Sequence, residues 1–239
     1  MAKILALDTS TDACSVALDV NGERREIFKV IPRRHTQELL PIIKEILADA
    51  QLSVQQLDAI AFGRGPGSFA GIRIATGVAQ GLAYAADLPA LPTSTLGVLA
   101  QGYFRQSGEQ QRLIIAALDA RMDEIYWGAY TVSEGIVQLA LKEQVSAPEQ
   151  LLIAEADYLL DVAKFDTRVA IGSGFNYLDK MSESVVSGLC TIEASAYPHA
   201  LDMLAIANRE WALGNGVAAE DAQPVYLRNQ VTWKKKDQQ

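Results

Sequence analysis

The chain has 239 residues, of which 49% are hydrophobic and 21% charged, a balance typical of a globular protein with a substantial core. Its formal net charge of −8 argues against a protein that gathers nucleic acid by itself. No long apolar run and no signal-peptide pattern occurs, which indicates a cytoplasmic protein without a membrane segment. The only two cysteines, Cys14 and Cys190, are expected to be reduced and buried.

The first hundred residues have the pattern of an α/β lobe. The segments KILALDTS, CSVALDV and ERREIFKVI predict three antiparallel strands, and Asn21-Gly22 is the turn expected between the second and the third. Thr36 is the expected N-cap of a helix over residues 36–50, in which Pro41 is tolerable only near the first turn. The segment LDAIAFG then predicts a short buried strand.

A glycine-rich loop and two further helices complete this lobe. Ser68 can cap a helix that ends near Ala86, and Ser94 can begin the next helix after a short extended piece. The predicted unit is therefore three strands, a helix, a strand and a helix.

The second half repeats this order of elements. The segments LIIAALDA, EIYWGAY and IVQLALKEQV predict strands, PEQLLIAEADYLLDVA predicts a helix, and RVAIGSG and LCTIEAS predict further strands. A final helix is expected from about His199 to Leu213. We predict an α/β fold of two lobes, residues 1–102 and 103–239, with a cleft between them. The final helix and the tail can pack back on the first lobe.

The stretch GRGPGSFAGIRIATGVAQGLA, residues 63–83, suggests either a phosphate loop or a helix built for close contact. A Walker loop is excluded because no lysine occurs between Lys44 and Lys142. A dinucleotide fingerprint matches in part, but Pro66 removes a backbone donor from the loop that would bind pyrophosphate. We favour a tight turn at Gly65 and Gly67, followed by the cap at Ser68.

The helix that follows carries a stripe of small residues. Arg73, Gly77 and Gly81 fall at four-residue steps and share one face, with Ala70 and Tyr84 beside them. Each interior glycine costs about 0.5 to 1 kcal/mol relative to alanine, which suggests close packing against another helix. We predict a partner interface on this stripe; the alternative is packing against the 36–50 helix of the same lobe.

Residues that could perform catalysis are scarce. His35 and His199 are the only histidines, so a zinc-hydrolase motif cannot form, and no G-x-S-x-G elbow occurs. Capping or solvent-facing roles are expected for both histidines. Asp8 and Asp119 follow predicted strands and could hold a magnesium-bound water at the cleft, but hydrogen bonding within their own turns is favoured. The sequence thus predicts no catalytic residue, no metal and no cofactor.

Several segments together resemble the TsaB (YeaZ) family, the non-catalytic paralogue of TsaD within the actin, Hsp70 and sugar-kinase superfamily. They are ILALDTSTDACSVAL, RRHTQELLP, GPGSFAGIRIATGVAQGLA, LDARMDEIYWGAY and PVYLRN. Ala70 and Ala75 stand where the family usually has threonine and glycine. The resemblance implies the two-lobed fold of that superfamily, with duplicated βββαβα-type lobes.

The resemblance also implies a function. The chain would be a catalytically silent subunit that binds TsaD directly, forms a weak homodimer, and meets tRNA only indirectly. TsaE would take part, and TsaC would supply threonylcarbamoyl adenylate for the threonylcarbamoyladenosine modification. Ser94 and Val98 stand in place of the paralogue's metal-binding histidines. Gly172 and Gly174 are the glycines left at a degenerate nucleotide cleft. The alternatives are an ATPase or kinase-like enzyme, or a peptidase.

Overall fold

The computed structural model describes residues 2–151 and 168–228 of the chain. Its first sheet consists of β1 (Lys3–Asp8), β2 (Ala13–Val20), β3 (Glu23–Val30), β4 (Ala59–Gly65) and β5 (Ala90–Ser94), in the order β3-β2-β1-β4-β5. Strand β2 runs antiparallel to β1 and β3, whereas β4 runs parallel to β1 and β5. The predicted opening of three antiparallel strands is confirmed.

The second sheet has the same topology. It consists of β6 (Leu113–Arg121), β7 (Glu124–Ser133), β8 (Ile136–Ser146), β9 (Arg168–Ile171) and β10 (Leu189–Glu193), in the order β10-β9-β6-β7-β8. Strands β6, β7 and β8 form an antiparallel meander, and β9 lies parallel to β6 and β10. Each sheet therefore joins a three-stranded meander to two parallel strands, which confirms the predicted α/β fold with a duplicated order of elements.

Five α-helices lie in the described part of the chain. They are α1 (His35–Asp49), α2 (Phe69–Ala86), α3 (Thr95–Ser107), α4 (Glu183–Val186) and α5 (Ala200–Ala212). Short 3₁₀ helices occur at Val54–Gln56, Pro148–Gln150, Ser173–Lys180 and Ala219–Asp221. Most of the predicted PEQLLIAEADYLLDVA helix falls outside the described residues, as does the basic tail from Trp233 to Lys236. Within residues 2–151 and 168–228, no helix has both the length and the apolar character needed to cross a membrane.

The predicted N-cap of α1, Thr36, is wrong by two residues. The helix begins at His35, its cap position is Arg34 without a side-chain hydrogen bond, and Thr36 lies inside the first turn. His35 is buried, and its Nε2 lies 3.2 Å from the carbonyl oxygen of Ala13. This contact with β2 attaches the first turn to the sheet. Because the helix begins earlier than predicted, Pro41 lies well inside it.

The two faces of the first sheet pack against different helices. On one face, Leu5, Leu7 and Val16 contact the buried apolar residues of α1 and α2. On the other face, Ile4 and Ala6 pack with Met203 of α5, in a cluster that also contains Val98 of α3. The final helix of the chain thus covers the first sheet, although it follows the strands of the second in the sequence.

Helix α3 connects the two sheets. Val98 faces the first sheet, whereas Leu96, Leu99 and Tyr103 pack against Ile114 and neighbouring residues of the second. The predicted boundary between the two lobes, between residues 102 and 103, falls inside α3, which spans residues 95–107. This boundary stays a prediction.

The cysteines were predicted to be buried, and this is wrong for one of them. Both thiols are free, Cys14 in the core of the first lobe and Cys190 exposed on β10. The difference follows from the position of β10 at the edge of its sheet, where alternate side chains face outward.

Helix α2 enters the fold through very close backbone contacts with the loop after β1. A Cβ on Gly71 would lie 1.9 Å from the carbonyl oxygen of Thr9, and one on Gly67 would lie 2.5 Å from that of Ser10. The Thr9 hydroxyl donates to the Gly71 carbonyl at 2.7 Å, and the Ser68 amide donates to the Ser10 carbonyl at 2.7 Å. Only glycine leaves room for this packing.

Replacing Gly71 with alanine should therefore lower the free energy of unfolding by about 1 to 3 kcal/mol, because the added methyl must displace backbone. Gly77→Ala is the matched control, since Gly77 has no heavy atom within 4 Å of the position that a Cβ would take. The control should raise the free energy of unfolding by about 0.5 to 1 kcal/mol. Urea denaturation measures both. Equal stabilities for the two variants would contradict the packing described.

Candidate functional site

A cleft of about 1790 Å³ separates the two lobes. The first lobe contributes residues 10–12 and 66–69 with part of α2, and the second contributes residues 118–121 and 192–197. Residues 225–228, near the end of the described chain, line the mouth. The cleft corresponds in place to the one predicted between the lobes.

The glycine-rich loop does not form an open phosphate cradle. Gly65 has a positive φ of 100°, and its Cα faces the Val225 carbonyl, which would lie 3.1 Å from an added Cβ. The Ser68 amide is used by Ser10, and the Ser68 hydroxyl accepts from the Gly71 amide at 3.4 Å. The loop's glycines thus serve a tight turn and close packing, and a carbonyl lies where an anion would have to approach.

Asp8 lies behind the cleft rather than in its wall. It is buried, and its Oδ1 accepts from the Ser10 amide at 2.8 Å and from the Ser10 hydroxyl at 2.6 Å. Its Oδ2 has no hydrogen-bond partner. A Cβ built on Gly63 would lie only 1.9 Å from this oxygen, so Gly63 leaves the space that Asp8 occupies. Burial raises the pKa of Asp8 to about 6.

In the second lobe, only Asp119 of the residues proposed for a degenerate nucleotide cleft lines the cleft. Its carboxylate accepts from the Arg121 amide at 2.7 Å and pairs with the Arg121 guanidinium at 3.1 Å. Gly172 and Gly174 pack on Ala117, whose carbonyl oxygen would lie 2.3 Å from a Cβ on Gly172. Only glycine fits at these two positions, because both pack closely on Ala117. Asp119 therefore has no glycine loop beside it that is free to bind phosphate.

No group of three or more potential ligands that could hold a metal occurs within residues 2–151 and 168–228. Of the two positions where the resemblance implies that a metal-binding histidine has been replaced, Val98 is fully buried among apolar residues. Ser94, at the other, is the N-cap of α3 and accepts from the Gly97 amide at 3.2 Å.

Ser94 also takes part in a polar junction between the lobes that the sequence reasoning missed. Its hydroxyl donates to Glu143 of β8, and the Tyr130 hydroxyl of β7 donates to the same carboxylate oxygen at 2.5 Å. Burial, followed by the charge of Glu143, raises the pKa of Tyr130 well above its ordinary value, so the phenol stays a donor. Arg64 of β4 lies 4.0 Å from Glu143.

A bulge between β7 and β8 aims Glu143 at this junction. Trp127 pairs with Gln144 and Ala129 with Leu141, so two residues of β8 lie opposite Gly128. A Cβ on Gly128 would lie 3.2 Å from Glu143 Cγ. Gly128 in the β7 pattern is the only local signal of this bulge, and Ser94, which donates to Glu143, comes from the other lobe.

We expect Glu143→Gln to lower the free energy of unfolding by about 1 to 3 kcal/mol, because the buried junction loses its charge-assisted hydrogen bonds. Ser94→Ala should lower the free energy of unfolding less when combined with Glu143→Gln than it does alone. A double-mutant cycle in urea measures this coupling. Glu134→Gln, in the exposed β7–β8 turn, is the control and should be neutral. Additive effects of the two junction changes would show that the lobes are not coupled here.

His199 lines the cleft and joins α5 to the first sheet. Its ring stacks on Phe28 at a centroid distance of 4.1 Å, and its Nδ1 lies 3.0 Å from Glu26 Oε2. Glu26 also accepts from the Ser15 hydroxyl at 2.7 Å. The hydrogen bond to Glu26 raises the pKa of His199, and the hydrogen bonds to Glu26 lower the pKa of that carboxyl although burial opposes them. His199 holds the N-cap position of α5, but its side chain makes no capping hydrogen bond and instead forms a half-buried pair with Glu26.

The pKa directions give a pH dependence of stability. The stabilisation of the fold by protonated His199 is complete below the ordinary histidine pKa of 6.5. It is lost as the pH rises through the raised pKa of His199 in the folded state. The stabilisation of the fold by ionised Glu26 is complete above the ordinary glutamate pKa of 4.5. It is lost as the pH falls through the lowered pKa of Glu26 in the folded state. The stability lost in His199→Gln should therefore be greatest between about pH 4.5 and 6.5 and should shrink at pH 9. Urea denaturation across this range measures the difference, and a pH-independent loss would contradict the ion pair.

The stripe on α2 faces outward. Ala70, Arg73, Gly77, Gly81 and Tyr84 are all exposed, Tyr84 to 79%. No heavy atom lies within 4 Å of a Cβ built on Gly77 or Gly81. The alternative that this stripe packs against α1 is wrong, because α2 presents its other face, with Ala75, Ala79 and Ala83, to the core.

The segment of residues 222–228, here the C-terminal strap, crosses from α2 to the second lobe. Gln80 donates to the Ala222 carbonyl at 2.7 Å, and the Val225 amide donates to the Arg64 carbonyl at 2.8 Å. At the other end, Arg228 donates to the Ala120 carbonyl at 3.2 Å and pairs with Glu124. The strap therefore holds α2 close to the β6–β7 turn.

Comparisons with known proteins agree with this architecture. The sequence model of the family described as TsaD, tRNA N6-adenosine threonylcarbamoyltransferase, matches residues 29–236. The tRNA threonylcarbamoyladenosine biosynthesis protein TsaB of Haemophilus influenzae is 41% identical, over 97% of this chain and 96% of its own. The protein of the same name from Escherichia coli is 43% identical, over 98% and 97%.

The chain belongs to the TsaB family. Among solved structures, YeaZ from Pseudomonas aeruginosa superposes with a TM-score of 0.86 at 45% identity, over 95% of this chain and all of the other. The two-lobed architecture is thus that of a family relative along nearly the whole chain.

Proposed function

We propose that this chain is a non-catalytic subunit of the machinery that makes threonylcarbamoyladenosine in tRNA, and that it binds TsaD through the α2 stripe. TsaE would take part in the same assembly, and TsaC would supply the threonylcarbamoyl adenylate. The observation that carries the proposal is the exposed stripe with two glycines open to solvent, in a chain of the TsaB family. A facing helix could approach the bare backbone there and gain dispersion contacts.

The chemistry of the cleft supports a silent subunit over an ATPase or kinase-like enzyme. The glycines that could approach a phosphate, Gly67 and Gly172, already face the carbonyls of Ser10 and Ala117. Asp8 is enclosed behind the β1–β2 loop. A nucleotide site would need these groups free and facing the cleft.

A peptidase is disfavoured for a similar reason. His35 contacts a backbone carbonyl, and His199 pairs with Glu26, so each histidine is already engaged. Neither is within hydrogen-bond reach of a serine or cysteine nucleophile among their described contacts. The net charge of −8 repels the phosphates of tRNA, so we expect this chain to contact tRNA only through the complex. The complex would act in the cytoplasm.

The stripe provides the decisive experiment. Replacing Gly77 and Gly81 with leucine should abolish TsaD binding in calorimetry without lowering the thermal midpoint, because leucine fits an exposed helix position and has a higher helix propensity than glycine. Ala212→Leu, at the exposed end of α5, is the matched control and should bind TsaD normally. Normal binding by the double glycine variant would place the interface elsewhere.

The same samples separate the function classes. The wild-type chain alone should turn over neither ATP nor peptides, and the mixture with TsaD, TsaE and TsaC should modify tRNA. The double glycine variant should fail to support that modification. Turnover of ATP or of a peptide by the chain alone would overturn the non-catalytic role.

A further inference from the structure

Arg73 is held between two aromatic side chains at the N-terminal end of the α2 stripe. We propose that Phe69, Arg73 and Tyr226, here the arginine anchor, bind an aspartate or glutamate side chain of TsaD. The inference rests on the proposed function and adds to it both a charged contact and the participation of the C-terminal strap in the interface.

The anchor is preorganised. The Arg73 guanidinium carbon lies 3.8 Å from the centroid of the Phe69 ring, and its Nε donates to the Tyr226 hydroxyl at 2.8 Å. The two rings are themselves 5.7 Å apart. These contacts restrict a side chain that would otherwise lose much rotamer freedom on binding.

The charge of Arg73 has no counterpart in the described part of the chain. Its contacts there are the Phe69 ring and Tyr226, and none is a carboxylate. By contrast, Arg121 and Arg228, which also line the cleft mouth, pair with Asp119 and Glu124. The terminal nitrogens of Arg73 therefore remain available for the bidentate contact that carboxylates make with guanidinium groups.

The surroundings of the anchor have the composition of a binding hot spot. Phe69 is 60% exposed and Tyr226 41% exposed, although both are large aromatic residues. Aromatic residues and arginine dominate the energetics of protein interfaces when a partner excludes water from them. The anchor adjoins the glycine stripe, since Gly77 follows Arg73 by one helical turn.

Tyr226 makes the strap part of the same surface. The strap is fixed beside α2 by the Val225–Arg64 and Gln80–Ala222 hydrogen bonds, so the Tyr226 hydroxyl is in place before any partner arrives. Removing that hydroxyl leaves the ring but frees Arg73 Nε. Tyr226→Phe is consequently a change that tests positioning with little change in apolar area.

The test uses calorimetry of the full-length chain with purified TsaD. Arg73→Ala should weaken binding at least about tenfold, and Arg73→Lys should recover only part of the loss because it lacks the planar fork. Tyr226→Phe should weaken binding by about two- to tenfold. Lys29→Ala removes an exposed positive charge from β3 and is the matched control. Raising the salt concentration should weaken the wild type more than Arg73→Ala.

If Arg73→Ala binds TsaD as the wild type does, while leucine at Gly77 and Gly81 prevents binding, the anchor is wrong and the proposed function stands. If the wild-type chain does not bind TsaD, the proposed function itself fails.

Discussion

The fold depends on the close approach of the α2 entry to the loop that follows β1. Gly67 and Gly71 lie against the carbonyls of Ser10 and Thr9, and reciprocal hydrogen bonds close the contact. This contact sets where α2 begins and which of its faces meets the sheet. It also fills with protein backbone the space in which a phosphate could have approached the loop.

The glycines at the entry of α2 and those in its body are of two different kinds. At the entry, glycine is required because any side chain would collide with backbone. About two and three turns further along, Gly77 and Gly81 meet nothing within 4 Å, so no contact inside the chain accounts for them. Since an interior glycine lowers helix stability by about 0.5 to 1 kcal/mol, a use outside the chain is the physical reason to consider.

The relation between the lobes is restricted at several separate points. Helix α3 packs on both sheets, α5 crosses back to the first, and Glu143 joins the second sheet to the N-terminus of α3. The C-terminal strap adds a link at the mouth of the cleft. A cleft tied at both ends suits a protein that presents a surface of constant shape better than one that must close on a substrate.

Much of the architecture could be predicted from the sequence because it is local. Alternating apolar residues and the Asn21-Gly22 turn indicated the first meander, and the repeated order of elements indicated the second lobe. Helix α5 was also expected at nearly its observed position. The start of α1 was missed because it depends on a contact between His35 and Ala13, which lie on different elements.

The candidate site was predictable only in part. The four-residue spacing of Arg73, Gly77 and Gly81 determines that they share one face of a helix, whatever the tertiary structure. Their spacing does not determine whether that face points to solvent or to α1. The packing of Gly71 on Thr9 sets the rotation of α2 about its axis, and the face points to solvent. Glu143, His199 and Tyr226 gain their partners from segments far away in the chain. Spacing along a chain determines the periodicity of an element, whereas contacts between elements follow from how their surfaces pack, and only the tertiary structure decides that.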